Sequence, residues 1–417
     1  MQRTDRDRAA DRLVLAVTNA PALRQSSHHW RYRPELELLL SCARGDGDPL
    51  AVDAARALLS RPIDWEEVLR AAREHRVIPA MYRSLSVMDA GLVPQEVLTS
   101  LHAEFRTNSW ANLKLTAELM RVIDVLAADE IPVIPYKGPT LAAYLYGDVS
   151  LRQFGDLDII LQPKDVPRAQ ELLAALGYRP ALDITGKDVA LFHERLGVTL
   201  EVHWSITAKR HPVQVAPQRL WKNVHQTEFA GKTILTHTPE DLLWILCIHG
   251  GQHRWERLSW LCDVAEMARN KPIDWDRAMH NARELGAGRT VTLALALAND
   301  LLGVALPSTI QRAIQGDPVL APLADHVKAC LASPRPDQED LGELERYYIM
   351  LGDRLGDRLR IALRQAVPYL APSPRDTEMI RVPWYLSWVL YVVRPARLAW
   401  SYGLTPLKRL LKGLFQS

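Results

Sequence analysis

The chain has 417 residues, 48% apolar, 24% charged and 7% aromatic, which excludes a disordered, fibrous or collagen-like protein and exceeds one ordinary domain. Its 51 basic and 49 acidic residues nearly cancel, but six basic residues and no acid fall in the last 37 positions, so the body before them is mildly acidic. A nucleic-acid-binding domain is usually strongly basic, so nucleic acid is not an expected partner.

In chain order, residues 1–12 mix both charge signs around no apolar core and do not read as a secretory signal. Residues 1 to about 110 read as helical, with apolar positions at three- and four-residue steps in 36–40, 51–59 and 65–73. The texture changes at 131–135, Ile-Pro-Val-Ile-Pro, which predicts a short strand. Lys137, Gly138, Pro139 and Thr140 follow as a turn, with Pro139 suited to the first turn of a helix running to about Tyr146. Further expectations are a strand at 157–161, a helix at 165–176 stopped by Gly177, and paired strands at 189–193 and 199–204.

From Thr238 the helical period returns and is expected to continue to about 332, opened by Thr238 as cap, Pro239 and two acids. Residues 333–340 read as a linker. Arg61-Pro-Ile-Asp-Trp65 recurs as Lys271-Pro-Ile-Asp-Trp275, which reads equally as a repeated helix start or a duplication. The resulting division is a helical region at 1–110, a core at 111–237, a helical substrate-side domain at 238–332, and a linker with a basic aromatic segment at 333–417.

The four cysteines form no CxxC pair, and Cys247 and Cys262 read as buried thiols in apolar helical surroundings. The longest apolar stretch, 382–393, is too short to span a bilayer, so the expected compartment is the cytoplasm. Residues 381–417 combine their positive charge with Trp384, Trp388, Trp400 and other aromatics. They are expected to pack on the acidic body, with peripheral contact at a membrane surface as the second reading and RNA or another partner as the third.

The chemistry concentrates at Asp156-Leu157-Asp158. Side chains two apart on a strand share a face, so both carboxylates project together while Leu157 and Ile159 enter the core. Paired carboxylates repel unless a cation sits between them, and Mg²⁺ prefers carboxylate, water and phosphate oxygens. Glu201 is a third acid flanked by apolar residues on a later strand, and His203 shares its face, placed to contact substrate or to orient Glu201. Gly138 opens a helix whose N-terminus suits phosphate. His249 and His253 are one helical turn apart, with Arg254, Arg257, Trp260 and Asp263 following. They read either as a substrate-side helix over the cleft or as packing, with Arg254 and Arg257 either facing phosphate or bracketing Glu256 on a wet surface.

This order resembles the DNA polymerase β-type nucleotidyltransferase superfamily, and more closely a bacterial family of uncharacterised nucleotidyltransferases. The residues that carry the likeness are 137–142, Arg152, Asp156, Asp158, Gly177-Tyr178 and Glu201-Val202-His203-Trp204. The likeness extends to 75–79 and to the 249–263 helix. One departure is Pro139 in place of a second Gly or Ser, which removes a phosphate-binding N–H and leaves the Thr140 hydroxyl as candidate.

The resemblance implies an α+β, mostly helical fold: a small α/β core with a mixed sheet, flanked by N- and C-terminal helical regions. It implies two-metal phosphoryl chemistry, with Mg²⁺ or Mn²⁺ on Asp156, Asp158 and Glu201, and an NTP as co-substrate. Lys137, Gly138, Thr140 and Arg152 are its phosphate-side candidates; His203, His249, His253, Arg254 and Asp263 are its substrate-side candidates. The acceptor is a small molecule, sugar phosphate, peptide or protein. Two alternatives stand beside this: a degenerate fold serving as nucleotide sensor or scaffold, and a phosphohydrolase with metal on His249, His253 and Asp263.

Overall fold

A computed structural model of the chain describes residues 33–45, 48–89, 91–185, 188–207, 211–332, 341–354, 356–359, 361, 389 and 391. The expected features of 1–32, the linker at 333–340 and nearly all of the basic segment 381–417 lie outside the described residues.

Helices α1 (Pro34–Ala43), α2 (Pro49–Leu59) and α3 (Trp65–Glu74) stand where the apolar period predicts them, and α4 (Ile78–Ser86) follows. Each of α1, α2 and α4 opens with proline in its first turn, where a missing N–H costs nothing. Helix α5 (Gln95–Ala128) is 34 residues long and crosses position 110 without a break. Its apolar stripe changes partners along its length and Trp110 is 68% exposed, so no single period marks it.

The two Pro-Ile-Asp-Trp segments are equivalent helix starts. Asp64 accepts a hydrogen bond from the Glu67 amide at 3.1 Å, and Asp274 accepts one from the Arg277 amide at 3.0 Å. Trp65 and Trp275 both pack against the same apolar core. An N-cap three residues before its bonded amide explains the echo locally.

The main sheet has the order β1-β2-β5-β4-β3, built from β1 (Ile134–Pro135), β2 (Asp156–Ile160), β3 (Arg179–Thr185), β4 (Asp188–His193) and β5 (Val198–His203). Strand β2 runs parallel to β5 and every other pair is antiparallel, so the sheet is mixed. Helix α6 (Gly138–Tyr146) lies between β1 and β2, and α7 (Val166–Ala175) follows β2. Strand β3 escapes sequence reading because it carries Pro180, which a sheet tolerates at its edge, where β3 sits. After the short α8 (Pro217–Leu220), β6 (Val224–Phe229) and β7 (Lys232–His237) form a separate hairpin. Most side chains of β6 face solvent, so it lacks apolar alternation.

Helices α9 (Pro239–Gln252), α10 (Leu258–Asn270), α11 (Trp275–Glu284), α12 (Gly288–Leu302), α13 (Ser308–Gly316), α14 (Leu320–Ala332) and α15 (Leu341–Leu351) complete the described fold. Thr238 caps α9 as expected, accepting from the Asp241 amide. The fold is α+β and mostly helical. One apolar core lies between α5, α7 and the sheet; a second joins the N-terminal helices to α9–α15. No described helix is long and apolar enough to cross a membrane. Cys247 and Cys262 are buried free thiols, as expected; Cys42 is also a buried free thiol, and Cys330 is half-buried.

Two buried polar groups hold the second core together. Asp241 accepts from both Arg219 nitrogens at 2.8 Å, from Trp244 at 2.8 Å, from Asn223 at 2.9 Å and from Asn281 at 3.0 Å. His237 is buried, with Nε2 2.9 Å from the Leu220 carbonyl. Burial pushes its pKa from 6.5 down to about 4 and the carbonyl only partly offsets that. The unfolded chain then takes up this proton at a higher pH than the folded one. His237 therefore contributes stability that is complete above pH 6.5 and is lost as pH falls toward 4, about 3 kcal/mol in all. His237→Gln, which keeps an N–H for Leu220, is expected to lose less Tm between pH 7.5 and 5 than the wild type; equal losses would show that His237 does not titrate this way.

Candidate active site

The sheet register gathers the acids on one face. Strands β2 and β5 place Asp158 opposite Glu201, and β4 places Asp188 opposite His203. Leu157, Ile159, Leu200 and Val202 fill the core beneath, so the alternating residues Asp156, Asp158, Glu201 and His203 face away from it. All of these, with Asp188, line one cleft of about 510 Å³.

Asp158 is the hub. One of its oxygens, Oδ1, lies 2.9 Å from Lys137 Nζ and 3.0 Å from His203 Nε2. That same Nε2 is 3.2 Å from Glu201 Oε2, and His203 Nδ1 is 3.3 Å from Asp188 Oδ2. Burial works against the charge on Asp158, but Lys137 and His203 outweigh it and hold the carboxyl far below the usual range. Burial likewise opposes the His203 cation, yet Asp158, Asp188 and Glu201 raise its pKa to about 9. Lys137 is also buried, and Asp158 keeps it firmly protonated. Asp156 shifts the other way: burial, then repulsion from Asp158, raises its pKa.

The turn before α6 delivers Lys137. Gly138 has φ +58°, the left-handed region that favours glycine, and a Cβ there would stand 3.4 Å from the Asp156 carbonyl. Pro139 follows in the first helical turn. The Thr140 hydroxyl donates to the Lys137 carbonyl at 3.1 Å, so it ties the turn together and does not point to a phosphate.

Arg152 does not stand ready for phosphate either. It donates to Asp263 through Nε and Nη2 at 2.9–3.1 Å, both residues are buried, and the Tyr146 hydroxyl donates to the same carboxylate at 3.0 Å. Asn112, buried on α5, donates to the Arg152 and Val149 carbonyls at 2.7 Å and fixes the segment that carries this arginine. Arg254 is buried beside Glu256 at 2.8 Å, not on a wet surface, and Asp263 serves Arg152 and Tyr146. These pairings form because each buried charge needs a partner.

The facing wall comes from distant segments. His75 anchors it: Nδ1 accepts from the Leu258 amide at 3.3 Å, Nε2 reaches the Leu331 carbonyl at 3.1 Å, and the Ser259 amide donates to the His75 carbonyl at 3.1 Å. This clamp brings the α3–α4 junction to the start of α10, so that Arg76 lines the cleft with Arg257, His249, His253 and Trp260. Arg76 has φ +54°, unusual for a side-chain-bearing residue.

Among the described residues, Asp158, Glu201 and His203 offer ligand atoms within 4.8 Å of one another, a spacing that can surround one metal ion. His203 takes the place expected of Asp156 in that group. Glu201 is the direct cross-strand neighbour of Asp158, and His203, registered opposite Ile160, reaches diagonally with its longer side chain to within 3.0 Å of Asp158 Oδ1. The two carboxylates suit a hard divalent cation such as Mg²⁺ or Mn²⁺, whereas the imidazole is a donor that favours a softer first-row ion. No such group forms from His249, His253 and Asp263 among the described residues.

Sequence reading missed Asp188 and Arg76 as cleft residues; of the two readings open for Arg257, the structure places it in the cleft. Asp188 is visible only once β4 is registered against β5; Arg76 lies inside the 75–79 stretch but carries no local chemical signature.

Fold and site thus define an α+β protein whose acidic, cation-balanced cleft contains a group able to hold a metal ion. A family model described as an uncharacterised nucleotidyltransferase matches residues 61–303, more than half of the chain and both walls of the cleft. The chain belongs to this family. No curated protein and no solved structure matches it.

Proposed function

We propose that the protein is a metal-dependent nucleotidyltransferase that moves a nucleoside monophosphate from an NTP to a hydroxyl or phosphate acceptor. The observation that carries this is the pairing of Asp158 with Glu201 across parallel strands, beside the Lys137-Gly138 turn, in a chain of nucleotidyltransferase family. In the reaction the acceptor oxygen bonds to the α-phosphorus, the bond from that phosphorus to the bridging oxygen breaks, and pyrophosphate leaves with the electron pair.

Asp158 and Glu201 would hold Mg²⁺ or Mn²⁺, joined by His203 Nε2 once its proton is displaced by the entering ion, with Asp156 beside them for a second ion. A bound ion would neutralise phosphate charge and favour the acceptor alkoxide. Glu201, 34% exposed at its side chain, is the carboxylate open to an incoming acceptor and takes its proton. Asp188 holds the far nitrogen of His203 and so fixes that ring against Asp158 and Glu201. Lys137, Arg76 and Arg257 supply positive charge to the triphosphate and to departing pyrophosphate. Arg152 acts through Asp263 as a strut between the walls.

Incubation with the four α-labelled NTPs and Mg²⁺ or Mn²⁺, against a cell extract, is expected to move label into a small molecule, sugar phosphate, peptide or protein. No transfer from any nucleotide, together with no metal-dependent NTP binding, would sink the proposal and favour a sensor or scaffold.

A further inference from the structure

We propose that His249, His253 and Trp260 form the nucleobase-binding wall of the cleft, stacking the base of a purine nucleotide while Arg257, whose guanidinium lies over the Trp260 ring, meets its phosphates. This rests on the nucleotidyltransferase reading and adds the base site to it. The three rings form one cluster: His253 and Trp260 lie 5.0 Å apart at 36° and offer the stacking surface, while His249 stands edge-on to both, 4.9 Å from His253 at 65° and 5.2 Å from Trp260 at 80°. The Arg257 guanidinium lies 5.3 Å from the Trp260 ring. All four line the same cleft as Asp158 and Glu201, on the α9–α10 side.

The local backbone is shaped to produce this cluster. A Cβ on Gly250 would come within 2.2 Å of the Trp255 ring, and one on Gly251 within 2.9 Å of Thr290. The glycine pair is therefore a packing requirement, not a loosened helix. Arg254 and Trp255 both adopt positive φ, +52° and +56°, which is disfavoured for residues with side chains. Buried Trp255 and the Arg254–Glu256 pair hold that turn. Strain of this kind persists where the surroundings over-determine it, commonly at binding sites. Here it returns the chain so that the start of α10 presents Trp260 beside the end of α9.

Every base has a π-face, and stacking on aromatic side chains binds it with little demand for hydrogen-bond readout. The two fused rings of a purine cover more of such a platform than the single ring of a pyrimidine. The phosphates then extend toward the positive charge of Arg257 and the carboxylates beyond.

The test is calorimetric, with Mn²⁺ present, using a non-hydrolysable ATP analogue and inorganic tripolyphosphate as separate probes. Trp260→Ala is expected to weaken the ATP analogue about tenfold and leave tripolyphosphate unchanged, with Trp260→Phe restoring most of the loss. His253 is exposed, so His253→Ala gives a second variant that leaves the folded core untouched, and it is expected to act in the same direction. An unchanged affinity for the ATP analogue in both alanine variants would overturn the base platform while leaving the nucleotidyltransferase reading standing. Equal loss of both probes would overturn it too. A wild type that binds neither probe would instead take down the nucleotidyltransferase reading, and this inference with it.

Discussion

Asp158→Asn is expected to reduce metal-dependent nucleotidyl transfer by a thousandfold or more, on the order seen when a central catalytic group is removed. The reason lies in the number of cations that this carboxylate balances. Lys137 and His203 both rest on its Oδ1, and Glu201 shares His203 with it. The amide lowers the negative charge that would hold a metal and leaves Lys137 buried without its counter-ion. The second effect costs stability, since removing one member of a buried ion pair commonly costs about 3–5 kcal/mol. A comparison with Glu201→Gln separates the two effects. Glu201 is partly exposed, so that variant is expected to lose activity to a similar extent while unfolding near the wild-type temperature. NTP consumption that survives Asp158→Asn but disappears in His253→Ala would overturn the nucleotidyltransferase assignment and favour a phosphohydrolase on the opposite wall.

A stability loss of the same size, about 3–5 kcal/mol, is expected from Asp263→Ala, outside the acidic cluster. Arg152 sits before β2 and Asp263 on α10, so the pair joins the sheet-bearing core to the helical one, with Tyr146 as a third member. Deleting the carboxylate strands a buried guanidinium and removes the acceptor of the Tyr146 hydroxyl. The double variant Arg152→Met, Asp263→Leu is expected to recover much of that loss, because two apolar side chains leave no uncompensated charge; Tyr146 would still lack its acceptor, so recovery is incomplete. Chemical denaturation of the single and double variants reads this directly. Additive losses would show that the two residues do not act as a buried pair. If the pair also braces the cleft, nucleotide affinity in the double variant should fall less than in Asp263→Ala.

Several elements were legible locally because local physics makes them. The Asp64, Asp274 and Thr238 caps, Pro139 at a first helical turn and the left-handed glycines at 138 and 177 depend only on residues a few positions away. The alternation in Asp156-Leu157-Asp158 and Leu200-Glu201-Val202-His203 says which side chains leave the core, and the burial of Leu157, Leu200 and Val202 agrees with it. Elements without an apolar period were not legible. Strand β3 with its edge proline and the solvent-facing β6 carry no pattern that single-sequence reading can use.

The partners in the site were decided by tertiary structure. Arg152 stands among the phosphate-side candidates, but its partner aspartate, Asp263, is 111 positions away, too far along the chain for sequence reading to name. Thr140 read as a donor to phosphate, yet the nearest acceptor is its own turn. Asp188 enters only through the pairing of β4 with β5, and Arg76 only because His75 clamps α3 to the start of α10. The sequence alone determined the candidate acids, the glycine turn and the direction in which each strand side chain points, since those follow from backbone period and steric limits. Which cation meets which carboxylate, and which ring faces them across the cleft, was decided only by folding, because electrostatic partners are chosen by distance and burial in space rather than by separation along the chain.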